Sequence, residues 1–420
     1  STGGDRIMVT KYYYIFEDVR RYDVVVFKFP LELSRNFIKR VTGVQNEKFL
    51  VYQGNLYACG LDEPDESLRI QRRPVETQRS IWIQPEGAGQ MLPDRDVFLK
   101  WWRTQSSLSS FDVSSNALRT KSGNVRFEYG SVIRAWVSDQ VRTAVGDLMV
   151  AFDAVPQDGA KVTAAVENEF GRFELVLEAG GSRIDHVRNG VKRTHPLPDA
   201  KLRPGRKSEV EFLVYDGQAV LVLDGRARAP YEAATAIDLL PPPSGTIQFG
   251  AEGAVEFTNL RIGHDLFYKG EESRDSNIED GSVRRGDDGR LRIGGILRIG
   301  PNQYVMMGDN VGNSHDSRKW RERIYTLKDG RKITFESQAE MTHKSEVVRE
   351  VMQRLNLTEP PLHYIKADRE GREWVLYEKD MDPAHRGAED RPFPFVDRKH
   401  IIGKAFWVWW PMGRWFKMIR

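Results

Sequence analysis

The densest run of chemically useful side chains is Tyr304-Val305-Met306-Met307-Gly308-Asp309-Asn310-Val311-Gly312-Asn313-Ser314-His315-Asp316-Ser317-Arg318, where an apolar strand enters a tight polar loop. Asp, Asn and Ser side chains bond to nearby backbone groups and so can hold a loop in one shape. Asp316 and Arg318 can add a bidentate pair that fixes it further. By composition alone the stretch reads equally as a polar turn between strands. A second candidate is Lys39, which follows Phe37 and Ile38 and precedes Val41, so a sheet can set its amine against apolar neighbours. A free lysine, with a pKa of about 10.4, is protonated at neutral pH. Burial disfavours the ammonium and can lower that value by several units, which makes a base of it. On a solvated strand the same lysine is only a surface charge.

Other signals carry less. His315 and His400 have no partner at metal-ligand spacing. The lone Cys59 excludes an intramolecular disulfide and a multi-cysteine zinc site, and reads as a small buried hydrophobe. Gly294-Gly295 and Gly308 do not make a phosphate-binding loop. No dense Asp/Asn cluster supports calcium, so neither metal nor cofactor is expected.

Length and composition set the frame. A chain of 420 residues can hold two or three domains, and 40% hydrophobic with 29% charged residues is ordinary globular usage. Sixty-three basic against 60 acidic residues give a net charge of +3, too balanced to point to nucleic acid. The longest apolar run, Ala405–Met412, falls far short of the about 20 residues a membrane span needs. Arg414–Arg420 is basic and aromatic, which fits a membrane surface or an amphipathic tail packed on the core. Ser1–Arg6 reads as a loop entered in mid-chain, so the sequence is expected to be a fragment lacking its N-terminal part.

The elements that must position these residues are mostly strands. Ile7–Tyr14, Asp23–Phe29 and Asn36–Gly43 are strand-like, and Phe49–Cys59 is a hairpin around Gln53-Gly54-Asn55. From about Asn124 to Ile262 short alternating runs recur between Gly, Asp, Asn and Pro clusters, among them Leu148–Ala154, Ser208–Tyr215, Gln218–Leu223 and Val255–Ile262. Period-two patterning in many short strands predicts an antiparallel sandwich. Leu291–Ile299 and Gln303–Met307 read as strands, Ala339–Leu355 as a helix, and Leu362–Glu378 as a hairpin turning at Asp368–Gly371.

The loop matches at Gly308, Asp309, Asn310, Asn313, Ser314, Asp316, Ser317 and Arg318 the signature of the type I signal peptidases, which this chain resembles. It departs at Val311 and Gly312, where that family often carries Arg and Asp. Asn36-Phe37-Ile38-Lys39-Arg40-Val41-Thr42-Gly43-Val44 is similar to the family's YIKRVVGLPG box. Tyr22-Asp23-Val24-Val25-Val26-Phe27-Lys28-Phe29-Pro30 resembles its GDVVVF-x-x-P strand, with Tyr22 in place of Gly. Gly4-Asp5-Arg6-Ile7 and Ile401-Ile402-Gly403-Lys404-Ala405-Phe406 match its early GDRI and closing IIGKAF. The resemblance covers about 1–60, 290–320 and 393–412, in the pattern of the enlarged planctomycete-type enzymes. Separately, Val210–Val214 with Val220–Gly225 resembles a concanavalin-like or laminin-G-like sandwich.

The resemblance implies a mainly β fold: a signal-peptidase-like core interrupted by a jelly-roll sandwich and a small α/β insertion. The expected divisions are core 1–62, an irregular Trp-containing insertion 63–119, the sandwich 120–263, core 264–320, the α/β insertion 321–392 and a closing strand and tail 393–420. It further implies serine endopeptidase chemistry by a Ser/Lys dyad, with Lys39 as general base and Ser314 orienting it. Arg40, Asp309, Asn310, Asp316 and Arg318 become site scaffold, and Asn36, Phe37 and Ile38 the strand that pairs with an extended substrate. The implied partners are preprotein signal peptides and a lipid surface, at the outer (periplasmic) face of the cell membrane, with protein or glycan contact through the sandwich. No Ser-x-Met-x-Pro box matches, so nucleophile and transmembrane anchor are expected upstream and this chain alone is expected to be inactive. Two other readings are a non-catalytic relative with a lectin-like module and a LexA-like self-cleaving regulator, though the latter's helix-turn-helix is not visible.

Overall fold

Val, Phe and Tyr dominate the runs that become strands, as expected of residues that fit a pleated, half-buried surface. The computed structural model describes residues 6–85, 92, 94–137, 140–269, 278–342, 346–383, 388–410 and 417–418, and the fold is mainly β with antiparallel sheets. Nine strands carry the region around the candidate site. They are β1 (Arg6–Thr10), β2 (Val24–Phe29), β3 (Glu32–Gly43), β4 (Glu47–Tyr52), β5 (Asn55–Gly60), β6 (Leu297–Ile299), β7 (Gln303–Met307), β8 (Val396–Asp397) and β9 (Ile401–Trp410). The main sheet runs β1-β9-β2-β3-β7-β8, with Lys417–Met418 also pairing β9. A second sheet runs β6-β4-β5 and ends on Arg69–Ile70.

One feature of the main sheet decides the site. β3 is twelve residues long, but β7 pairs only with its last part, through Met307↔Arg40, Met306↔Val41 and Val305↔Gly43. Gly43 lets the two strands close up, because a Cβ there would lie 3.0 Å from Val305 Cβ of β7, and 2.5 Å from Ile299 Cδ1 of β6. Earlier in β3 the Leu33 N–H bonds to Arg369 O. Between Leu33 and Arg40 no strand lies on that edge among the described residues.

The sandwich packs a seven-stranded sheet against an eight-stranded one. Phe127, Phe152, Phe249 and Phe257 meet between them at ring separations of 5.2 to 5.9 Å. Pairing also recruits Trp102–Arg103, Phe111–Ser114 and Ala117–Thr120, ahead of the stretch whose texture suggested a sandwich. The outer face of the larger sheet is not bare. Val75 and Trp82, on and just after the helix Val75–Ile81, pack on Leu213, Tyr215, Val220 and Val222.

Several sequence expectations need correction. The Ile7–Tyr14 strand stops at Thr10, and Tyr13–Phe16 forms a helical turn. The turn buries Tyr14, whose hydroxyl donates to Asp23 Oδ2 at 2.9 Å. Leu291–Ile299 breaks into Leu291–Gly294 and β6 because Gly295 takes φ +82°, a region that favours glycine. The helix expected over Ala339–Leu355 covers only Glu346–Arg354, since Glu340–Thr342 pairs instead with His363–Ile365. Cys59 is partly exposed rather than buried. A further hairpin pairs Ser182–Arg188 with Val191–Leu197 around Asn189-Gly190, a type I′ signal in which both residues have positive φ.

Candidate active site

Alternation along β3 puts Phe37, Lys39 and Val41 on one face and Ile38 and Arg40 on the other. The first face meets the apolar cluster of Val25, Phe27, Phe29, Met306 and Trp320. Lys39 sits opposite Val25 of β2. Phe37 stacks on Phe29 at 4.6 Å, and Lys39 Nζ lies 5.9 Å from the Phe37 ring centroid. The lysine is therefore half-buried on an apolar wall, next to the open edge of its own strand.

The loop after β7 brings the hydroxyl. Ser317 ties the loop back to the strand, its N–H donating to Met306 O while its Oγ accepts from Met306 N. Asp316, fully buried, accepts from Gly308 N at 3.0 Å and from Arg318 Nε and Nη2 at 2.8 Å each. Arg318 also donates to Val311 O and Lys269 O, each at 3.1 Å. This clamp folds the loop so that Ser314 Oγ accepts from Lys39 Nζ at 2.8 Å, across 275 positions of sequence. Gly308 makes room for the contact: a Cβ there would lie 2.1 Å from Ser314 Oγ and 3.3 Å from Lys39 Nζ.

The charges around Lys39 are arranged so that none neutralises it. Burial pushes its pKa below the ordinary lysine value, and Arg318 adds to this against the pull of Asp316 and Asp309. Each of those two acids is already held by an arginine. Asp309 takes a bidentate pair from Arg40 at 2.9 and 2.7 Å, and Arg40 Nη1 donates to Tyr22 O at 2.9 Å. Burial would raise the Asp316 carboxyl, but Arg318 and the Gly308 amide hold it below the usual range. Chemically, the result is an amine biased toward its neutral, proton-accepting form and hydrogen-bonded to a buried hydroxyl.

Other anticipated residues fall differently. Asn310 is exposed, and its backbone carbonyl accepts from Asn313 N. Asn36 and Ile38 are exposed on the open part of β3, and Phe37 is half-buried beneath it. His315, without a partner at metal-ligand spacing in the sequence, packs edge-on to Phe29, Phe37 and Trp320 with Nε2 3.2 Å from Glu336 Oε1. Its place was hidden because Trp320 and Glu336 reach it only through the fold. The Arg414–Arg420 tail lies outside the described residues except Lys417–Met418, and no described helix is long and apolar enough to cross a membrane.

The sequence shows no dense Asp/Asn cluster, but the fold brings three carboxylates together. Carboxylate oxygens of Asp147, Asp216 and Asp265, far apart in sequence, lie within 4.8 Å of one another. No short-range motif could have shown this, because each residue ends or precedes a different strand.

The family described as signal peptidase, peptidase S26 matches residues 2–110, a signal-peptidase-like region that includes Lys39 but not Ser314. Comparison with the curated proteins returns no match. Among solved structures, the carbohydrate-binding module CBM66 from Bacillus subtilis is similar at 12% identity and TM-score 0.27, over 39% of this chain and 94% of that one. Sheep galectin-11 gives 15%, 0.22, 29% and 92%, and Bacillus licheniformis β-glucanase 8%, 0.30, 44% and 98% in the same order.

Proposed function

We propose that this chain carries the base and scaffold of a serine/lysine endopeptidase that removes signal peptides from exported preproteins. Lys39 takes the proton of a nucleophilic serine and Ser314 orients the lysine. The observation that carries the reading is the 2.8 Å contact between Lys39 Nζ and Ser314 Oγ on an apolar wall. Among the described residues Ser314 is the hydroxyl bonded to Lys39, so in this reading the nucleophile comes from outside them. A free strand edge beside Lys39 supports substrate pairing: an extended peptide can add to β3 along Arg35–Ile38, as strands add to open edges.

Membrane contact in this reading runs through the turn after β1. Tyr12, Ile15 and Phe16 stand 72%, 67% and 84% exposed there, amphipathic and apolar rings of the kind that partition to a lipid interface. The sandwich serves as a spacer or protein-contact module, consistent with an outer sheet face already covered by Val75 and Trp82.

The test joins a Ser-x-Met-x-Pro segment ahead of residue 1 and assays preprotein cleavage. Lys39→Ala is expected to abolish cleavage while circular dichroism and melting stay those of a folded β protein. Cleavage that survives the substitution removes Lys39 from its assigned role.

A further inference from the structure

Three neighbouring strands of the larger sandwich sheet, Ser208–Tyr215, Leu148–Pro156 and Val255–His264, reach one end of that sheet together. Each carries an aspartate at that end: Asp216 after the first, Asp147 before the second and Asp265 after the third. The main-chain ladder therefore forces three carboxylates together. Arg73 offsets part of the charge through Asp265 Oδ2 at 2.5 Å, and Asp265 Oδ1 also accepts from Leu266 N. Asp147 Oδ2 accepts from Asp216 N at 3.1 Å.

What remains is unpaid. Asp216 is 3% exposed, and its Oδ2 has no hydrogen-bond partner among the described residues; Asp147 Oδ1 is buried and equally unpartnered. A fourth acid points the same way. Glu169 is 7% exposed, and among the described residues its Oε2 has no hydrogen-bond partner. That oxygen lies 1.9 Å from where a Cβ on Gly146, the residue before Asp147, would sit, and its charge is felt at Asp147. Several buried carboxylates with orphaned oxygens cost several kcal/mol each unless a proton or a cation compensates them.

We propose that Asp147, Asp216 and Asp265 chelate a hard divalent cation, calcium by preference, which pins the sandwich to the sheet that carries Lys39. The donors are all oxygen, with no imidazole or thiolate in the group, which selects against zinc and copper. Oxygens within 4.8 Å of one another can share a single ion, and calcium is the hard cation that takes oxygen ligands in the most flexible geometry. The pinning runs through Arg73, which lies over the rings of Tyr22 and Tyr268 at 5.4 Å each, while the Tyr22 carbonyl accepts from Arg40 beside Lys39.

The test uses the whole chain, stripped with EDTA and titrated with Ca2+, Mg2+ and Mn2+ by calorimetry and thermal melting between pH 6 and 8. One equivalent of Ca2+ per chain and a raised melting temperature are expected. Asp216→Asn is expected to weaken binding at least about tenfold, while Glu209→Gln on the exposed sheet surface leaves it unchanged. Absence of heat and of any melting shift with all three ions overturns the site, as does equal loss of binding in both variants. If Asp216→Asn does not fold, the wild-type titration decides by itself.

Discussion

Around Lys39, each of the two acids whose charge it feels already has an arginine: Arg40 for Asp309 and Arg318 for Asp316. At the sandwich end Asp147, Asp216, Asp265 and Glu169 share Arg73 and the nearby Arg72. The first region is balanced in pairs, so its one leftover cation is biased toward neutrality by burial. The second carries an excess of acid that its own side chains do not cancel. Pairing charges inside a site leaves one group free to change protonation; leaving them unpaired creates a demand for something from outside.

Breaking the balanced region at its clamp has the largest expected effect. Arg318→Met strands the buried Asp316 carboxylate and is expected to cost about 3–5 kcal/mol in urea unfolding. A loss below about 1 kcal/mol would mean that Asp316 needs no counter-charge. Gly308→Ala comes next: its new Cβ overlaps Ser314 Oγ, so a cost of about 1–3 kcal/mol is expected. A crystal structure of that variant should show the Lys39–Ser314 bond lengthened or lost, and an undisturbed bond would refute the steric reading.

The leftover cation is tested by pH. The native state binds the Lys39 proton less well than the unfolded chain, so wild-type stability rises with pH between the lowered native pKa and the ordinary 10.5. Lys39→Met is therefore expected to be more stable than wild type at pH 7, with the gap closing toward pH 10.5. Urea midpoints at pH 7 and pH 10 check this, and a gap that widens reverses the sign. Asn310→Ala should do least. Its side chain is exposed despite matching the loop signature, so a change within about 0.5 kcal/mol is expected, and a larger one would show that the signature residue works through its side chain.

How much of this was legible in the sequence depends on the range of the signal. Asp316 and Arg318 are two residues apart, so their pairing follows from local reach, and so does the Asp216-Gly217 hairpin turn with its two positive φ values. Lys39 against apolar neighbours was readable from period-two alternation. That Tyr13–Phe16 turns helical was not, because the turn answers to Asp23 across the sheet. Nor was the environment of His315, whose neighbours Phe29 and Phe37 belong to other strands.

The sequence by itself determined the strands, the loop that clamps itself, and a lysine set among apolar neighbours. Only the tertiary structure decided that Lys39 Nζ and Ser314 Oγ lie 2.8 Å apart, and that three aspartates meet at one sheet end. The physical reason is that propensity, alternation and short-range hydrogen bonds act over a few residues. Contacts between distant segments are set by sheet order and register, which the whole chain must settle at once.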